Sequence, residues 1–226
     1  MCLTPWISAS TFVIEVSIAS WLFGKAKSKE TWLSFFTVTF LALYQLSEVG
    51  LCVYHSQSWN LFGYLAVTWL PAFGIHLAVL QTKKRVLVWP WYVVAAIFSG
   101  GMVATPFLLP SAQCDPLFSS YYDFPAGYSL YEAYYMGTIA LTMILLASHI
   151  WRTKEKIARV KDAIVLIGFL SFVIPAFWIK FTVPFLHESF PSIFCFFAVF
   201  YAISLVIREH PKWVCSRKSL AGDAMA

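Results

Sequence analysis

Seven runs of roughly 20 apolar residues dominate this chain, and that is the length a helix needs to cross a bilayer core about 30 Å thick. They fall at about residues 5–24, 31–54, 61–80, 86–109, 128–151, 163–186 and 192–207. Lipid offers no partner to an exposed backbone amide, so each run reads as a helix that bonds its own backbone. Only 12% of the residues are charged and 60% are hydrophobic, whereas a soluble chain carries about 25% charged residues. The expected architecture is an all-α membrane protein, a seven-transmembrane helix bundle over residues 1–207 with a short basic tail at 208–226. The start Met-Cys-Leu-Thr-Pro has no basic stretch before the first run, which therefore reads as a span and not as a cleaved signal.

The cations set the expected orientation. Of 16 Lys and Arg residues, all but Lys180 lie in every second gap or after the last run. Lys25, Lys27 and Lys29 follow run one; Lys83, Lys84 and Arg85 follow run three. Arg152, Lys154, Lys156, Arg159 and Lys161 follow run five, and Arg208, Lys212, Arg217 and Lys218 follow run seven. The gaps 55–60, 110–127 and 187–191 have none. Under the positive-inside rule the N-terminus is outside and the C-terminus cytoplasmic. Topology and anionic inner-leaflet lipid thus account for the net charge of +5, and no nucleic-acid partner is implied.

Aromatic belts follow the same alternation, with Trp6, Tyr54, Trp59, Tyr121 and Tyr122 near the outer boundary. The same bookkeeping places Cys2, Cys52, Cys114 and Cys195 on the outer side. They could pair in three ways if all four are oxidised, or stay as small apolar thiols. Cys215 reads as a cytoplasmic thiol, with juxtamembrane palmitoylation as the alternative. The 110–127 stretch reads as a plain crossing, with a lid over the helix ends as the alternative.

Ionisable groups inside a membrane are costly and usually face the bundle interior, water or a charged partner. Four stand out: Glu15, Glu48, Glu132 and Lys180. Lys180 and Glu48 each lie roughly 25 Å from the inner ends of their helices, and Glu132 enters from the outside to a similar level. Helical spacing adds Tyr44, four before Glu48, and Tyr128 and Tyr135, four before and three after Glu132. The reading is an outward-facing polar pocket in which Glu48, Glu132, Lys180, Tyr44, Tyr128 and Tyr135 bind a small molecule or lipid, with Lys180 paired to Glu132 or Glu48. The alternative is an ion pair that ties helices together, or a lysine that snorkels to the headgroups. Glu15 reads as a carboxyl hydrogen-bonded or protonated within the bundle, and His76 as a hydrogen-bonded core histidine.

Pro71-Ala72-Phe73-Gly74-Ile75-His76 matches Pro175-Ala176-Phe177-Trp178-Ile179-Lys180 at four of six positions. On oppositely directed helices that echo is either an inverted repeat, as in many transporters, or chance. Pro71, Pro175 and Pro184 mark weak points in their helices. No phosphate loop, metalloprotease helix, nucleophile elbow or Cys-x-x-Cys pair occurs, so no catalytic residue, metal site or cofactor is expected.

The stretch Leu41-Ala42-Leu43-Tyr44-Gln45-Leu46-Ser47-Glu48, followed by Trp59 and Trp69-Leu70-Pro71-Ala72-Phe73, resembles the seven-helix N-terminal sensor region of bacterial histidine kinases. In that family such regions precede a cytoplasmic kinase or cyclase module, whereas here only a short tail follows the last run. The expectation is a non-enzymatic sensor or receptor that acts through a separate cytoplasmic or membrane protein partner. The alternatives are a small transporter or channel subunit using the same Glu/Lys cluster, or a structural membrane subunit.

Overall fold

The computed structural model describes residues 4–105, 109–115, 118–125, 127–183 and 189–209, with the Lys180 side chain outside the described set. In chain order the elements are α1 (Thr4–Lys25), α2 (Lys29–Tyr54), α3 (Gln57–Thr68), α4 (Leu70–Thr82) and α5 (Trp89–Ala104). A hairpin of β1 (Ser111–Cys114) and β2 (Ser119–Tyr122) comes next, then α6 (Tyr128–Arg152), α7 (Lys156–Thr182) and α8 (Phe190–Glu209).

Six of these helices, with α3 and α4 taken as one broken span, are long and apolar enough to cross a membrane. The chain is thus a multi-pass helical membrane protein by length and composition. The run at 86–109 holds only α5, whose 16 residues reach about 24 Å at a helical rise of 1.5 Å per residue. Residues 106–108, which follow it, lie outside the described residues.

Local chemistry explains the helix ends. Ser28 caps α2 by accepting from Thr31 N at 3.1 Å, and Ser56 caps α3 by accepting from Ser58 N at 3.3 Å. α2 stops where His55 turns left-handed (φ 50°), its N–H returning to the Leu51 carbonyl.

Two elements differ from the sequence reading. Pro71 does not kink a continuous helix: it sits in the first turn of α4, just after a break at Trp69. Proline there lacks the N–H that would have bonded the Val67 carbonyl, and the Trp69 N–H reaches that carbonyl instead. Pro175, by contrast, lies inside an unbroken α7. The two echoed motifs therefore differ in local structure, and Pro184 lies outside the described residues. Arg208, counted with the tail, belongs to the last turn of α8.

α2 is the hub, packed against α1, α3, α4 and α8, while α7 pairs with α8 and α6 bridges α4 and α7. α2, the α3–α4 span and α8 are the most deeply buried spans, and α1, α6 and α7 turn more surface outward. Close approach of helices in lipid relies on small residues. Gly168 shows this on α7: a Cβ there would come within 2.1 Å of Ser204 Oγ on α8.

At the end of the bundle that carries Lys25 and Lys29, polar contacts tie α6 to α7 and α2 to α8. His149 Nδ1 and Asp162 Oδ2 lie 2.5 Å apart across α6 and α7. Arg208, with its side chain only 1% exposed, bonds Glu209 and lies 3.9 Å from Glu30 of α2. Thr31 Oγ1 donates to Glu209 at 3.1 Å.

Candidate functional site

A hairpin closes the opposite end of the bundle where a plain crossing was expected. β1 and β2 pair antiparallel with Ala112 opposite Tyr121 and Cys114 opposite Ser119, which turns Ala112, Ser119 and Tyr121 together into the protein. A disulfide joins Cys114 to Cys52 at the end of α2, so one of the pairings left open by the sequence is formed. Cys195 is a free, buried thiol, and Cys2 and Cys215 lie outside the described residues. Hydrogen bonds complete the anchorage. Gln57 Nε2 donates to the Ala112 carbonyl at 3.0 Å and Asn60 Nδ2 to the Pro110 carbonyl at 2.8 Å. Ser120 and Ser189 hydroxyls meet at 2.8 Å, and Thr4 Oγ1 donates to the Asp115 carbonyl.

Tyr121 drives inward from this cap and is 2% exposed, so it is not the belt residue that its sequence position suggested. Its hydroxyl lies 2.8 Å from that of Tyr44, which donates to Glu48 Oε1 at 3.0 Å. A phenol has one proton, so Tyr121 is the donor to Tyr44 and the chain runs Tyr121 to Tyr44 to Glu48. Burial first, and then the Glu48 carboxyl, push the Tyr121 phenol well above its ordinary pKa, which keeps that proton in place. Ser8 of α1 donates to the other Glu48 oxygen at 2.9 Å, and the Ser192 hydroxyl also reaches this carboxyl.

A cavity of about 50 Å³ lies between α2, α3, α6 and α8, and two of its lining residues, Tyr44 and Tyr64, touch Tyr121 of the cap. Four sequence-selected residues line it: Tyr44, Tyr128, Glu132 and Tyr135. Tyr128, Glu132 and Tyr135 share it because they fall at i, i+4 and i+7 on α6. Glu48 stands one hydrogen bond behind Tyr44. Lys180, the sixth selected residue, has its side chain outside the described residues, and so do its expected pairings.

Sequence reasoning missed Tyr64 and Tyr131, which add two more phenol rings to the wall, and Cys195. Tyr131 was findable, being three residues after Tyr128 and four before Tyr135 on the chosen side of the helix. Tyr64 carried no such signal, because its partner rings come from elsewhere in the chain: its centroid is 5.9 Å from Tyr121 and Tyr131. Tyr64 meets Tyr121 edge-to-face at 88° and Tyr131 at a tilt of 58°, both favourable aromatic geometries.

A second cavity of about 30 Å³ shares Tyr135, Phe194 and Cys195 with the first. The α3–α4 break sits where the two adjoin: Val67 lines the first, Leu70 and Pro71 the second. Tyr134 meets the break with a 3.0 Å hydrogen bond to the Thr68 carbonyl. Broken helices bring backbone polar groups to a protein interior, which lipid would not tolerate.

Two further intramembrane groups have distinct settings. His76 Nδ1 lies 2.8 Å from the Tyr92 hydroxyl, so it is hydrogen-bonded as read from the sequence, but it is half-buried and not a core residue. Glu15 is fully buried on α1, and neither carboxyl oxygen has a hydrogen-bond partner among the described residues. A buried polar group without a partner costs about 1–3 kcal/mol. Glu15→Leu is therefore expected to raise the unfolding midpoint in detergent, read by tryptophan fluorescence. A lowered midpoint would show that Glu15 has a partner that stabilises it.

No family model and no curated protein matches this chain.

Proposed function

We propose that this chain is a seven-span sensor or receptor of the membrane, N-terminus outside and C-terminus cytoplasmic, which binds a small molecule in the tyrosine-lined cavity. The carrying observation is the site itself: Tyr44 of α2 and the Tyr128–Glu132–Tyr135 face of α6, expected together from the sequence, meet at one cavity beside a covalently anchored cap. Phenol hydroxyls and ring faces around Glu132 suit a compact ligand that is part apolar and part polar or cationic. The orientation is supported by the disulfide, which lies at the end of the bundle away from Lys25, Lys29 and Lys83, where an oxidising compartment would form it. The resemblance to histidine-kinase sensor regions is in keeping with a bundle that biases a separate cytoplasmic partner. Ligand binding shifts such a bundle only as far as affinity differs between its conformations.

Native mass spectrometry of gently extracted protein tests this reading, with Met136→Trp, which fills the cavity, beside wild type. A discrete small mass on wild type, absent from the variant, is the expected result. An adduct that survives the filled cavity, or bare protein in both, would overturn it.

One observation favours a transporter as the second reading. The adjoining cavities and the broken span between them resemble the broken-helix sites of transporters. Flux of candidate solutes in proteoliposomes separates the two, since a sensor passes none.

A further inference from the structure

A groove of about 440 Å³ runs along the lipid-facing seam of α1 and α2, away from the tyrosine cavity and with no residue in common with it. Its walls are Phe12 and Phe23 of α1 and Phe35 and Leu46 of α2, and its floor is built from the small buried residues Ala19 and Ala42. Small side chains facing each other across a seam leave a furrow that neighbouring bulky ones deepen.

Three features fix what fits there. Both helices are long and apolar enough to cross a membrane, so the groove opens to acyl chains. From Phe12 to Phe23, and from Phe35 to Leu46, the helices rise about 16 Å, one leaflet of a core about 30 Å thick. Lys25, Lys27 and Lys29 cluster at one end of the groove, in the turn that starts two residues past Phe23, and all three are exposed. The acidic residue nearest that turn in sequence, Glu30, lies 3.9 Å from Arg208 of α8.

We propose that this seam is a binding site for an anionic phospholipid, with one acyl chain in the groove and the headgroup phosphate on the Lys25–Lys27–Lys29 turn. The proposal needs only that α1 and α2 cross the membrane and stands apart from the ligand reading above. A lysine beside an anionic headgroup is worth about 1 kcal/mol, or about fivefold in affinity.

Native mass spectrometry with equimolar phosphatidylglycerol and phosphatidylcholine of identical chains reads both halves of the site. Wild type is expected to retain phosphatidylglycerol at least about fivefold better. Replacing the three lysines by glutamine should abolish that preference but leave lipid bound. Ser20→Trp, placed on the exposed groove wall, should remove both lipids, and Val16→Trp gives the same test should Ser20→Trp fail to fold. Equal retention of the two lipids by wild type, a preference that survives the glutamine variant, or full retention in a filled groove would each overturn the proposal.

Discussion

Replacing Cys52 by serine is expected to destabilise the protein by about 2–5 kcal/mol, the usual cost of losing a native bridge. The bridged partners are 62 residues apart, and the intervening chain contains α3, α4, α5 and the start of the hairpin. In a bilayer those helices stay largely formed when tertiary contacts are lost, which reduces the entropy the bridge removes and favours the lower half of that range. Thermal unfolding in detergent, with and without reductant, reads the effect directly. Hydrogen exchange should localise the first opening to 111–115 and 118–122, because the hairpin would then be held by hydrogen bonds and the buried Tyr121 ring alone. An unchanged midpoint under full reduction would mean that the side-chain hydrogen bonds fix the cap without the covalent tie.

The second large effect is expected at Glu48. Glu48→Leu keeps the approximate volume but strips Ser8 and Tyr44 of their acceptor in a buried setting. Each stranded hydroxyl costs about 1–3 kcal/mol, less where a serine can turn to its own backbone, so a total loss of about 2–4 kcal/mol is expected. Glu48→Gln retains an acceptor oxygen and should cost about 1 kcal/mol or less. The contrast matters more than either value, because a Gln variant as damaged as Leu would show that the charge, and not the acceptor, is what the neighbours use. Tyr121→Phe offers an independent check. It removes the donor at the start of the chain, and the Glu48→Leu loss should not add fully to it, since the three groups form one network.

What could be read in advance follows from periodicity and charge. The helices were legible because an apolar stretch of membrane length has one economical structure, and observed ends fall within a few residues of most of the runs. α6 could also be read around its circumference, where Tyr128, Glu132 and Tyr135 repeat at helical spacing. Two kinds of information were hidden. The hairpin at 111–122 is polar, short and held by partners on four different segments, so nothing local distinguished it from a plain crossing. Glu48 was visible as a buried acid, but its partners were not, although Thr4, Ser8, Thr11 and Glu15 make a polar stripe along one face of α1 that could have pointed there. Ionic pairing was the natural expectation for a buried carboxylate. For Glu48 the described partners are hydroxyls, which satisfy an acceptor at lower desolvation cost than a second buried charge.

The clasp of α8 against the start of the chain also bears on how the bundle is made. Glu209 meets Thr31, and Arg208 faces Glu30, each pair 178 residues apart. At a synthesis rate of about 5–20 residues per second, roughly 9–36 s separate the emergence of the two partners from the ribosome. During that interval α1 and α2 stand in the bilayer without the helix that covers part of their inward faces, and Glu48 without the Ser192 hydroxyl. Biogenesis of this chain therefore has a built-in waiting period, in which an insertase or intramembrane chaperone that shelters polar faces would decide the yield of folded protein.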